Sequence, residues 1–119
     1  MRDENTPIVE FQNKICIIRL RGEVTTFSES AIKKEYQAAF AKMCTAIIID
    51  FKEVQYINSA GIAILIGLVT ESKANNIPLY ISSLIPHFQK IFKMVGLSQY
   101  FAERFPDLES GLASLGARS

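Results

Sequence analysis

The chain has one histidine, two cysteines and no tryptophan in 119 residues. A single histidine cannot build a histidine-rich metal centre, and it leaves only one imidazole as a base for nucleophilic catalysis. That residue, His87, has no cysteine nearby in sequence, and it reads as a surface or helix-start residue. Cys16 lies inside an apolar run and Cys44 at a predicted helix end; they lack metal-ligand spacing and are too few for a disulfide framework. Reduced thiols in a cytoplasmic protein are the expectation. Charge of one sign is also missing: 13 Lys+Arg against 12 Asp+Glu leave a formal net charge of +1. Nothing there would draw in nucleic acid or an anionic membrane. The segment Met1 to Pro7 is polar, without the apolar centre of a signal peptide, and no apolar run approaches the ~20 residues that cross a bilayer. The Gly-x-x-x-x-Gly-Lys phosphate loop, internal repeats and low-complexity tracts are absent as well, so neither a cofactor nor a metal is expected.

What is present is a hydrophobic fraction of 49% in a chain long enough to bury a core unaided. One domain over residues 1–119 is expected, with its core over about 8–115. Its centre is the stretch from Ala46 to Asn75. Ala46-Ile47-Ile48-Ile49-Asp50-Phe51 is a β-branched run suited to a strand covered on both faces, and Asp50 ends the apolar run. After Lys52 to Ile57, a short linker, come Asn58 and Ser59, both good N-cap residues, then a helical pattern to about Asn75.

A serine where a helix begins sits beside N–H groups without intrahelical acceptors and beside the positive end of the macrodipole. Phosphoserine adds about −1.5 to −2 charges, and a helix N-terminus favours an anion by roughly 0.3–1 kcal/mol. Phosphate on Ser59 would therefore leave the fold standing while disturbing any docked partner. Ile62, Leu65, Ile66 and Val69 form the stripe assigned to the core, and Ala60, Ile64, Gly67 and Leu68 lie roughly opposite. For Ala60 and Ile64, packing on a neighbouring helix and contact with a partner are both open readings.

The flanks read in order. Ile8–Gln12 and Ile15–Arg21 make a hairpin about Asn13-Lys14, and Gly22 marks the strand exit. Glu23–Phe27 is a loop; Thr26 or Ser28 caps a helix to about Met43, with Ile32, Tyr36, Ala39, Phe40 and Met43 as its buried stripe. Leu79–Ser82 is a minimal strand. Pro86 opens a helix carrying Phe88, Ile91, Phe92 and Val95, closed by Gly96. Leu97–Phe105 contains a short edge strand, and Leu108–Leu115 a closing helix. The order ββαβαβαβα predicts an α/β fold, a mixed sheet with an antiparallel hairpin followed by parallel strands and about four helices. A Gly-x-Ser-x-Gly elbow is missing because Ile57 occupies the first glycine position, and no acid other than mid-helix Glu71 lies between Ser59 and His87. A binding protein, not an enzyme, is the expectation.

The apolar strand ending in Asp50, followed by Asn58-Ser59-Ala60-Gly61-Ile62 and an apolar helix, resembles the sulfate-transporter and anti-sigma-factor-antagonist (STAS) domain. The likeness runs from Ile8 to about Leu115 and is nearest to the small stand-alone bacterial anti-sigma factor antagonists. It implies that Ser59 is phosphorylated by a serine kinase that doubles as the anti-sigma factor, and that the unphosphorylated chain sequesters this kinase to release a sigma factor. A serine phosphatase would be a further partner, and the chain a cytoplasmic monomer or weak dimer. The loop after the second strand lies next to the serine in this family, which assigns Thr25, Thr26, Asn58, Ser59, Ala60, Gly61 and Ile64 to the partner surface. Such antagonists usually carry Asp where this chain has Asn58 and Thr25, so two carboxylates are missing from that end. Alternative roles are a scaffold in a stressosome-like complex or the cytoplasmic STAS subunit of a membrane transport complex, such as a lipid importer.

Overall fold

A computed structural model describes residues 6–117. Strands β1 (Ile8–Gln12), β2 (Ile15–Val24), β3 (Ala46–Ile57), β4 (Leu79–Ser82) and β5 (Arg104–Phe105) form one sheet in the order β1-β2-β3-β4-β5. β1 and β2 are antiparallel about Asn13, whose φ of 58° is tolerated by asparagine, and every later pairing is parallel. Helices α1 (Glu29–Ala41), α2 (Ser59–Ala74) and α3 (Pro86–Met94) join successive neighbouring strands, and α4 (Leu108–Ala117) closes the chain. Because each right-handed crossover steps the same way along the sheet, α1, α2 and α3 fall on one face. There Cys16, Ile18, Ile47, Ile49, Phe51, Leu79 and Ile81 meet Ile32, Tyr36, Leu65, Leu68, Phe88 and Phe92. On the other face α4 lays Leu108, Leu112 and Leu115 over Ala46, Ile48, Tyr80 and Phe105. Beyond the reach of α4 that face is wet, and Arg19 pairs with Glu10 at 3.2 Å.

Several boundaries differ from the expectation, each for a local reason. β2 does not stop at Gly22: a bulge with Gly22 at φ 64° carries the strand on to Val24. β3 runs through the expected linker to Ile57, pairing Val54 with Gly22 and Ile57 with Val24. Phe40, in the last turn of α1, is 45% exposed, off the face that buries Ile32, Tyr36 and Ala39; Met43 lies past the helix end at Ala41 with a left-handed φ of 58° and is 83% exposed. The segment from Leu97 begins with a 3₁₀ turn, Ser98–Tyr100, and β5 keeps only two residues.

The faces of α2 also require correction. Gly61, Ile64, Leu65, Leu68, Val69 and Ser72 are its buried residues, whereas Ile66 is 43% exposed. The core stripe is rotated from the expected one. Two contacts fix the rotation: Tyr36 Oη and Ser72 Oγ lie 2.7 Å apart, and Gly61 abuts the end of β2.

Candidate functional site

The extended β3 delivers its C-terminal end alongside that of β2. Ile57 pairs with Val24, and the Asn58 N–H donates to the Val24 carbonyl at 3.3 Å. This tie brings the turn after β2 against the start of α2. Asn58 is the N-cap, its Oδ1 accepting from the Gly61 N–H at 2.9 Å. Ser59 follows as the first residue of α2 and is exposed. Its hydroxyl makes no hydrogen bond among the described residues, while Ser28, Ser72 and Ser82 are buried. The N–H groups of Ser59 and Ala60 stand at the first two helical positions, where no intrahelical acceptor exists.

Gly61 makes this arrangement possible. A Cβ at that position would lie 2.1 Å from the Val24 carbonyl oxygen and 3.0 Å from Ile57 Cγ2. Only glycine lets the first turn of α2 approach β2 this closely. The turn after β2 is fixed by its own side chains: Thr25 Oγ1 accepts from the Phe27 N–H at 3.3 Å, and Ser28 Oγ accepts from the Thr25 N–H at 3.1 Å. This capping box starts a short 3₁₀ turn, Thr26–Ser28, and holds Phe27 with 97% of its surface exposed.

Of the residues assigned from sequence, Thr25, Thr26, Asn58, Ser59 and Ala60 converge on this end of the sheet. Two do not present side chains there. Ile64 is 5% exposed and belongs to the core, so it cannot touch a partner; Gly61 is buried against β2. Others were missed: Tyr56, Ile62, Ile91 and Val95 line a hollow of about 390 Å³ with Asn58 and Ser59. Tyr56 and Val95 are each 50% exposed. The signal for Phe27 was present in the sequence, since a large aromatic between polar turn residues has no core to enter.

Elsewhere, Asp50 is 4% exposed and accepts from Ser82 Oγ at 2.7 Å, a tie between β3 and the end of β4. Burial, and then the neighbouring Cys44, push the Cys16 thiol up to about 12. Among the described residues no group of three or more His, Cys, Asp or Glu could hold a metal ion, and no helix is long and apolar enough to cross a membrane.

Parallel strands in sequential order, three helices on one face and an exposed serine at the head of the central helix define a small α/β module with its distinctive surface at one end of the sheet. A family model described as the STAS domain matches residues 6–111, and the chain belongs to that family. Similar folds include an anti-sigma factor antagonist from Mycobacterium paratuberculosis (20% identity, 92% of each chain covered, TM-score 0.74). The Bacillus cell fate determinant SpoIIAA in its phosphorylated form matches at 21% identity over 92% of this chain and 98% of its own, with a TM-score of 0.73. A sulfate transporter family protein from Wolinella succinogenes matches at 12% identity over 91% of each chain, with a TM-score of 0.78. At these identities the likeness is one of fold.

Proposed function

We propose that this chain is an anti-sigma factor antagonist: a binding protein that sequesters a serine-kinase anti-sigma factor while Ser59 is unmodified and releases it once Ser59 is phosphorylated. The observation that carries this reading is the setting of Ser59, an exposed hydroxyl at the positive end of α2 that lines a hollow with the half-exposed side chains Tyr56 and Val95, while Phe27 stands exposed on the turn after β2. Exposed apolar surface of this kind suits a protein partner. Phosphate there is compatible with the fold, since it meets unpaired N–H groups and the helix dipole. It is incompatible with a dry interface, where an uncompensated charge costs several kcal/mol. Regulation therefore acts on association. The reading as a binding protein and not an enzyme rests on the same features, with His87 as the chain's single imidazole. Any ATP used in the switch would be bound by the kinase.

Incubation with the cognate kinase and ATP, followed by mass-spectrometric mapping, should place the phosphate on Ser59. Ser59→Asp should fold like wild type and bind the kinase a hundredfold or more weaker, the equivalent of about 3 kcal/mol or more. Ser59→Ala should bind constitutively. Equal affinity of the two variants would remove Ser59 from the interface. That result would favour the second reading, a STAS subunit of a membrane transport complex, which the likeness to the sulfate transporter family protein supports.

A further inference from the structure

Phe27 is the most exposed large apolar side chain among the described residues, with 97% of its surface free. Phe11, Phe40, Tyr56 and Tyr100, the other exposed aromatics, are each only half exposed. The ring is bare, yet the backbone beneath it is fixed. The Phe27 N–H donates to Thr25 Oγ1, and the Ser28 N–H donates to the Thr25 carbonyl at 2.9 Å. The buried Ser28 hydroxyl donates to the Glu23 carbonyl at 2.8 Å while accepting from the Thr25 N–H. The 3₁₀ turn also packs against α2, and the bond from the Asn58 N–H to the Val24 carbonyl joins the same stretch to the residue before Ser59. Phe27 thus keeps one place relative to Ser59, with almost nothing of its own chain against its ring.

We infer, resting on the phosphorylation-switch reading above, that Phe27 is the anchor of the interface with the kinase that modifies Ser59, its ring entering an apolar pocket on that enzyme. Thr25 and Ser28 are positioning residues that hold the anchor in place. Docking a whole phenyl ring removes more apolar surface from water than covering the rest of half-exposed Tyr56 or Val95, and aromatic side chains seated in pockets dominate interface energetics. A turn already held by its own hydrogen bonds loses little conformational freedom on docking, so less of that gain is offset. Because the turn is tied to the start of α2, a kinase with Phe27 seated meets Ser59 in a fixed register. Phosphate on Ser59 repels the same surface that holds the ring, so phosphorylation unseats Phe27 together with the rest of the interface.

The test is calorimetry with the purified kinase that phosphorylates Ser59, titrated into wild type, Phe27→Ala, Thr25→Ala, Thr25→Ser, Ser59→Asp and Met43→Ala. Phe27 and Met43 are exposed, so both truncations should melt as wild type does, and Met43 lies beyond the opposite end of α1. Phe27→Ala should weaken binding by about thirtyfold or more, and Met43→Ala should not weaken it. Thr25→Ala should weaken it by about threefold to tenfold, while Thr25→Ser, which keeps the acceptor oxygen, binds as wild type. In phosphorylation assays Phe27→Ala should raise KM with kcat unchanged, the mark of a contact made equally before and during the reaction. The chain has no tryptophan, so Phe27→Trp labelled with fluorotryptophan gives it a single fluorine NMR signal, which should shift when unlabelled kinase binds. Wild-type affinity in Phe27→Ala, with Ser59→Asp still defective, overturns the anchor and leaves the switch standing. A fluorine signal that does not move in the complex also overturns it, because residue 27 then acts from outside the interface. Ser59→Asp binding as tightly as wild type overturns the switch whatever Phe27 does. Self-association of the free protein that Phe27→Ala abolishes gives the ring to a second copy, and likewise overturns the inference.

Discussion

Two glycines on α2 should respond to alanine in opposite directions, and the site depends on one of them. Alanine is favoured over glycine in a helix by up to about 1 kcal/mol. At Gly67, where nothing lies within 4 Å of a built Cβ, that preference acts unopposed, and Gly67→Ala should stabilise by about 0.5–1 kcal/mol. At Gly61 the new Cβ would stand 2.1 Å from the Val24 carbonyl oxygen, whereas ordinary contact begins near 3.4 Å. The obstacle is backbone on a paired strand and cannot rotate aside. α2 must retreat by about an ångström, which costs about 1–3 kcal/mol in overpacking. The retreat also stretches the 3.3 Å bond from the Asn58 N–H to the Val24 carbonyl, worth about 1 kcal/mol. These losses exceed the propensity gain, so Gly61→Ala should be net destabilising by about 1–3 kcal/mol. Urea unfolding measures both variants; in thermal melts each kcal/mol corresponds to about 4 °C. Because the same retreat moves Ser59 away from the turn at Phe27, Gly61→Ala should also slow phosphorylation, and Gly67→Ala should not. A Gly61→Ala protein as stable as wild type would refute the close approach and, with it, this account of how Ser59 is positioned.

The buried face of α2 gives a second test: Ile64→Ala should cost about 2–5 kcal/mol, and Ile66→Ala less than about 1, in denaturant melts. The reverse ranking would mean that the helix is rotated. Ser82→Ala should destabilise by about 1–3 kcal/mol, because it takes away the hydroxyl that donates to buried Asp50; an unchanged midpoint would make that bond expendable. Cys16 should resist thiol reagents at about pH 8 while the chain is folded, since a thiol raised to about 12 holds a thiolate fraction of only about one in ten thousand. The same shift sets a sign for alkaline stability. Between 9.0, the ordinary thiol value, and about 12 the unfolded chain loses a proton that the folded chain keeps, so stability should fall as pH rises through that window. Rapid labelling of Cys16 in the folded protein would contradict its burial.

The architecture was legible because its signals were local. The β-branched run at Ala46–Phe51, the Asn58 cap, Pro86 at the first position of α3 and Gly96 beyond its end each act within a few residues. Gly96 does close α3: its φ of 76° allows the Leu97 N–H to reach the Phe92 carbonyl at 2.8 Å. The face of α2 was not legible, since the helix is apolar on nearly all sides and two stripes satisfy the same spacing. Non-local contacts, Ser72 with Tyr36 and Gly61 with Val24, choose between them. The same ambiguity put Ile64 on the partner surface and Ile66 in the core. The length of β3 was hidden for a related reason: Glu53, Gln55 and Tyr56 are exposed, so strand pairing with Arg21–Val24 holds that segment without an apolar run.

The two positions where this chain carries Asn58 and Thr25 instead of the aspartates of the antagonists it resembles prove to be equivalent in kind. Each is an N-cap: Asn58 Oδ1 accepts from the Gly61 N–H and Thr25 Oγ1 from the Phe27 N–H. Capping requires an acceptor oxygen, which Asn and Thr supply as Asp does, so both turns keep their geometry without the carboxylates. The consequence is electrostatic. An aspartate beside Ser59 would set one negative charge about 5 Å from a phosphate of about −2, a repulsion of roughly 1–2 kcal/mol even in bulk water. Asn58 removes that term while leaving the unpaired N–H groups and the dipole of α2 in place, so the first turn is more hospitable to phosphate than one capped by aspartate. A kinase that recognised its substrate through those carboxylates would find them missing. One that recognised Tyr56 and Val95, each half exposed in the hollow at Ser59, and the exposed Phe27 on the turn after β2 would find all three in place, and the proposed switch would depend on shape for recognition and on charge only for release.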